Sequence, residues 1–155
     1  MISNVNNVIN ELSTLSKVKD FVFVCIGTDK HINDSVGPMT GSFLEISGYK
    51  VYGTLGKPVT AINYSKVRKG ILEDNKEAII IAVDACITKD SEAHGNIIIK
   101  KKGIKPGLGV GKVLDEIGDY SIVCNIYEDN INDNSISFPF YNSLKIYKTI
   151  KKIIG

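Results

Sequence analysis

No apolar run in this 155-residue chain approaches the roughly 18 residues that a membrane-spanning helix requires, the longest being Phe21 to Ile26 and Ala78 to Val83. Both are of strand length. Surplus charge is scarce too: 19 basic against 17 acidic residues leave +2, too little to argue for a nucleic-acid or membrane partner. Cysteines number three, Cys25, Cys86 and Cys124, odd in count and set apart among Val, Ile and Ala. That pattern fits a reduced, cytoplasmic compartment with the thiols as small core residues. The first twenty residues lack a basic start followed by an apolar stretch, so no secretory signal is expected. Arginine is reduced to Arg68 while isoleucine and lysine abound, a bias of composition that carries no mechanism.

What is present is ordinary globular material. Apolar residues make up 43% and charged residues 23%, which excludes disordered, collagen-like and coiled-coil chains. The length suits one α/β domain over residues 1–155. Val5, Val8, Ile9, Leu12 and Leu15 recur at helical offsets and predict an N-terminal amphipathic helix over residues 1–17. Phe21 to Ile26 predicts a strand buried on both faces, ending at Gly27, followed by a loop to Asn33 and a helix through Thr40 to Ile46 with Pro38 in its first turn. A short strand from Tyr49 to Gly53, a helix marked by Ile62, Val67, Ile71 and Leu72, and a buried strand from Ala78 that stops at Asp84 repeat the pattern. Then come a strand at Ile97 to Ile99, a Gly- and Lys-rich loop, a short helix around Val113 to Ile117, and a strand from Ser121 to Tyr127. The last helix is expected to turn Leu144, Tyr147, Ile150 and Ile154 inward and Lys145, Lys148 and Lys152 outward. Alternating strands and helices imply a three-layer α/β/α fold with a parallel or mostly parallel twisted sheet.

In such a sheet ligands bind where loops leave the carboxyl ends of the strands. Two carboxylates stand at such ends: Asp34 after the first buried strand, and Asp84 at the end of the second. If those strands are neighbours, both acids face one crevice. Two close carboxylates cannot both ionise easily, so one keeps a proton while the other acts as a base towards water. That arrangement can hydrolyse an amide, or chelate a divalent metal with further ligands. The alternative is structural: Asp34 before Ser35 and Pro38 is a good helix N-cap, and Asp84 can cap a turn. His31 and His94 read as exposed loop histidines, and Cys86 as a buried core thiol with no base beside it.

Gly107, Gly109, Gly111 and Lys112 suggest a nucleotide loop, but the spacing fails. A phosphate-binding loop needs glycine where Pro106 stands and Ser or Thr where Val113 stands, and Lys112 occupies the third glycine of a dinucleotide fingerprint. A loop beside the crevice, able to approach a substrate backbone closely, is the better use of these glycines. Lys100, Lys101 and Lys102 read as a solvated face.

The stretches Cys25-Ile26-Gly27-Thr28-Asp29, Asn33-Asp34-Ser35-Val36-Gly37-Pro38, Tyr52-Gly53-Thr54-Leu55 and Val83-Asp84-Ala85-Cys86 together resemble the YyaC family of sporulation proteins. That family is taken to be spore proteases, related to germination protease and, more distantly, to the hydrogenase maturation endopeptidases. The resemblance implies a phosphorylase/hydrolase-type α/β fold, with Asp34 and Asp84 matching the two acidic positions of those enzymes. The histidine that completes the nickel site of the maturation enzymes falls near Gly107 and is absent, so a metal-free, aspartate-based peptidase is expected. Departures also stand at Thr60, where the family commonly has histidine, and near Gly56, where it has an acidic residue. The expectation is therefore a cytoplasmic, sporulation-associated peptidase without cofactor, with Asp34 and Asp84 activating water. Thr28, Asp29, Gly53, Thr54, Gly107 and Gly109 are expected to hold a peptide or small spore protein. A sporulation binding or regulatory protein that keeps the fold without catalysis is the alternative; a phosphorylase or cysteine-peptidase relative is a third reading.

Overall fold

The computed structural model describes residues 2–107 and 114–155. Helix α1, Ile2–Leu15, precedes strand β1, Phe21–Cys25. Helix α2, Val36–Ile46, leads to the short strand β2, Lys50–Tyr52, and helix α3, Tyr64–Asp74, to strand β3, Ile79–Thr88. Strands β4, Ile97–Lys100, and β5, Tyr120–Tyr127, then helix α4, Ser137–Ile154, complete the order. The five strands are arranged β2-β1-β3-β5-β4, all parallel except β4, which runs antiparallel to β5 at the edge.

The chain leaves β1 in one direction to form β2, then returns past β1 to form β3. Right-handed crossovers in opposite directions must place their helices on opposite faces of the sheet. Accordingly, α2 lies with α1 and α4 on one face and α3 covers the other. Alternation along β1 serves both layers: Phe23 and Cys25 pack with Leu12, Leu44 and Ile146, while Val24 packs with Tyr64 and Ile71. Each large side chain so buried contributes about 1.5–3 kcal/mol. The reversal of direction makes a switch point between the carboxyl ends of β1 and β3, the place where open α/β sheets bind ligands.

Several elements differ from the sequence reading, each for a local reason. Strand β3 does not stop at Asp84; it continues to Thr88 because β5 runs beside it, pairing Asp84 with Val123 and Thr88 with Tyr127. On α4 the inward stripe is Ile146, Ile150 and Ile153, with Tyr147 and Ile154 on its flank. The lysines expected outside, Lys145, Lys148 and Lys152, are exposed. No helix forms over 114–117: Ile104 and Ile117 exchange a reciprocal pair of main-chain hydrogen bonds, each 2.9 Å, which commits that backbone to a β-bridge. Val113 lies outside the described residues. Helix α3 begins at Tyr64, leaving Ile62 exposed, and Val5 on α1 is also exposed. Cys25 and Cys124 are buried, but Cys86 is exposed, because β3 has by then outrun its neighbour β1. Among the described residues, no helix is long and apolar enough to cross a membrane.

Candidate active site

Glycines fix the wall of the crevice by letting backbones touch. A β-carbon on Gly37 would lie 2.0 Å from the Ile26 carbonyl oxygen, and one on Gly41, a turn later on the same face of α2, would lie 1.9 Å from the Gly53 carbonyl oxygen. Gly53 itself, at φ +98°, brings the end of β2 against β1, where its β-carbon would meet the Cys25 carbonyl oxygen at 1.9 Å. No side chain larger than hydrogen fits these positions. Helix α2 is thereby seated directly on the carboxyl ends of β1 and β2.

Asp34 closes the short 3-10 turn Ile32–Asp34 that follows β1. Its carbonyl accepts from the Thr28 amide at 3.0 Å and lies where a β-carbon on Gly27 would be 2.2 Å away, so the loop folds back tightly on the strand it leaves. The preceding residue, Asn33, is 4% exposed and its amide nitrogen donates to the carbonyls of Asn130, Ile131 and Asp133 at 2.8, 3.1 and 3.2 Å. Three carbonyls demand a donor, which fixes the orientation of the amide. The sequence reading missed Asn33, whose partners lie about a hundred positions away; its one local signal is its place directly before Asp34.

Neither acid acts as the N-cap of α2. That position belongs to Ser35, whose side chain turns back to the Ile32 carbonyl instead of capping the helix. Asp84 shares the parity of Ile80 and Ala82, which pack with α3, so its side chain leaves the sheet on the α3 face. It stands one residue beyond the last pairing of β3 with β1, Val83 with Cys25. Its Oδ1 accepts the Ala85 amide at 2.8 Å.

The charge of Asp34 reaches Asp84. Asp84 is half-buried by surface area, but its carboxyl group is so desolvated that its pKa is held well above the usual carboxylate range. The Ala85 amide opposes that shift, and the charge of Asp34 adds to it. Asp34 is exposed at the rim, yet desolvation also raises its pKa, against the pull of the Thr28 amide and of His31. The charge of Asp34 thus favours the protonated form of Asp84. Among the described residues, no three His, Cys, Asp or Glu side chains converge to hold a metal ion.

The other residues named from the sequence lie at the same end of the sheet or outside the described residues. Thr28 and Asp29 follow β1, and Asp29 accepts the Gly56 amide at 2.7 Å, tying that loop to the one after β2. Thr54 is buried and exchanges main-chain hydrogen bonds with Lys57, each 3.2 Å. Gly53 serves the backbone contact already described. Gly107 is half-buried with φ +81°; Gly109, with Gly111 and Lys112, lies outside the described residues. His31 is exposed, as expected. His94 is not: its Nδ1 accepts the Tyr127 amide at 2.9 Å and its ring stacks on Phe138 at 4.5 Å, a bracing role. Cys86, on the same face of β3 as Asp84, has its thiol pKa raised by desolvation and by Asp84, the opposite of an activated nucleophile.

Comparison with known proteins agrees with this architecture. The chain is 41% identical over 107 residues to the uncharacterised protein YyaC of Bacillus subtilis, covering 67% of this chain and 52% of that one. It is 28% identical over 124 residues to the germination protease of Caldanaerobacter subterraneus, covering 68% of this chain and 38% of that one. The chain thus spans about half the length of the first relative and less of the second. In three dimensions it is similar to the [NiFe] hydrogenase maturation protease HycI of Thermococcus kodakarensis, with a TM-score of 0.60 at 15% identity over 91% of this chain and 98% of that one. It also matches HybD of Thermococcus kodakarensis, another [NiFe] hydrogenase maturation protease, with a TM-score of 0.52 at 13% identity over 84% of this chain and 98% of that one. At such identities the likeness is one of fold. A family profile matches residues 2–153, nearly the whole chain, and the chain therefore belongs to DUF1256, a family described as a protein of unknown function.

Proposed function

We propose that this chain is a peptidase that cleaves a peptide or small protein with water activated between Asp34 and Asp84. The observation that carries the reading is a pair of carboxyl groups at the switch point of the sheet, both with pKa values raised by desolvation, the charge of Asp34 adding to the shift of Asp84. The ionised acid takes a proton from water as the water oxygen bonds to the scissile carbonyl carbon. The protonated acid gives its proton to the carbonyl oxygen and, as the C–N bond breaks, the departing amine is protonated within the pair. Asp84, the more desolvated, is the natural proton holder, and Asp34 at the rim the base. Such a pair needs no resident cofactor.

The relatives support the same class: one bears the name germination protease, and the structural neighbours are maturation proteases. With the YyaC likeness, they favour action in the cytoplasm of a spore-forming cell on a small spore protein. The near-neutral charge gives no support to a nucleic-acid or membrane partner. One observation favours a second reading, a binding protein without catalysis: Asp84 already accepts a main-chain amide, the bond of a structural carboxylate. The two readings separate on purified protein incubated with unfolded casein and with spore extract proteins, followed by mass spectrometry. Discrete cleavage by the parent, abolished by both Asp34→Asn and Asp84→Asn while the variants stay folded, is the expected result. Absence of cleavage by the parent, or cleavage unchanged in both variants, would overturn the peptidase.

A further inference from the structure

Strand β3 outruns β1, and among the described residues no strand pairs with the overhang on that side. Pairing between the two ends at Cys25 with Val83, and the last bond of the ladder is the Ile26 amide to the Val83 carbonyl at 2.8 Å. Beyond it, β3 continues from Asp84 to Thr88, held on its other side by β5. The groups of Ile79 and Val83 that face β1 fix the parity of the strand: Ile79 donates to Asp20 and Val83 accepts from Ile26. By that alternation, Ala85 and Ile87 turn their amides and carbonyls to the vacated side, while Asp84 and Cys86 turn theirs to β5. The Ala85 amide is taken up by Asp84 Oδ1. Among the described residues, the Ala85 carbonyl and both main-chain groups of Ile87 have no partner on that side. Ala85 is half-buried, Cys86 is exposed and Ile87 is 49% exposed.

We infer that this overhang is the docking edge for an extended peptide, which adds to β3 as a strand where β1 has ended. The inference rests on the peptidase reading for its substrate but not for its geometry. Donor and acceptor groups recurring along an extended edge are complemented by another extended backbone and by little else. A strand paired with this edge lies about 4.8 Å from β3, the ordinary spacing. Asp84 stands at the inner end of this edge, and Asp34 lies in the loop that follows β1. A docked strand therefore enters the crevice backbone first, its recognition resting on main-chain hydrogen bonds. Its residues alternate in contact between the face of Ala85 and Ile87 and the face of Cys86.

Ile87→Pro isolates the edge. Proline there removes the free amide but no bond to β5, and edge positions whose amide faces solvent tolerate it; Ile87→Ala is the control that keeps the amide. The probes are a synthetic library of random ten-residue peptides and the same library N-methylated at alternate amides. Deuterium exchange at the Ile87 amide is expected to slow about tenfold in the parent, and equally in inactive Asp34→Asn, with the plain library only. Where cleavage is measurable, Ile87→Pro is expected to raise KM about fivefold with kcat little changed, and Ile87→Ala to leave both near the parent, the factor for one lost main-chain bond. Unchanged exchange at saturating library, or equal effects of the plain and methylated libraries, would overturn the inference even if casein is cleaved. Slowed exchange without cleavage of any substrate would sustain the docking edge and sink the peptidase. Protection that grows with protein concentration alone would assign the edge to a second copy of the chain and overturn the peptide as its occupant.

Discussion

Gly37 and Ile26 meet so closely that a single added methyl group would lie 2.0 Å from the Ile26 carbonyl oxygen. Helix α2 cannot rest on the end of β1 with any other residue there. Gly37→Ala is expected to lose about 3 kcal/mol or more, since the clash is with backbone and cannot be relieved by a rotamer change. Urea unfolding measures it. Gly70 on α3 is the counter-case, with open space around it, and Gly70→Ala should gain about 0.5–1 kcal/mol from helix propensity alone.

Asn33 predicts a graded series. Asn33→Ala removes the donor shared by three carbonyls and should cost about 1–3 kcal/mol. Asn33→Asp should cost more at neutral pH, because a carboxylate would face those same oxygens. The excess should shrink in acid as the new carboxyl is protonated, which thermal melts at two pH values would reveal.

The acid pair sets the pH dependence of stability. Asp34 and Asp84 bind protons more tightly folded than unfolded. Their stabilising contribution is therefore fully present below the unfolded carboxylate range and is lost as pH rises through the raised folded values. Asp84→Asn cannot ionise and can still accept the Ala85 amide. It should melt above the parent at pH 7, by about 2–4 °C for each kcal/mol gained, with the advantage gone at pH 3.

Cleavage should show the same pair from the other side. With both pKa values raised, activity is expected to fall as pH climbs through the upper apparent value of the pair, when the proton-holding acid empties. The falling limb should be a property of the pair and should vanish from neither acid alone. A kcat/KM profile from pH 4 to pH 9 measures it.

The order of the strands was legible because its signals are local. Phe21 to Ile26 is a continuous apolar run closed by glycine, and Ala78 to Val83 is another that leads directly into Asp84. The phase of α4 was not, since Leu144, Ile146, Tyr147, Ile150, Ile153 and Ile154 support two stripes, and the buried Asn142 and Ser143 disguise the true one. The overhang of β3 was invisible for another reason: a strand's end is decided by its partner, and β5 pairs with it from about forty positions downstream. The Asn33 clamp is a tertiary contact of the same kind, silent in any window of sequence.

The backbone contacts of Gly37, Gly41 and Gly53 have a mechanical consequence. Helix α2, β1 and β2 share atoms' breadth of separation at three points, one for each pair, so none can slide without breaking two of them. Above them the two loops are tied less firmly, by the exposed hydrogen bond from the Gly56 amide to Asp29, which a single solvent molecule can replace, and by the main-chain bond from Gly27 to Val59.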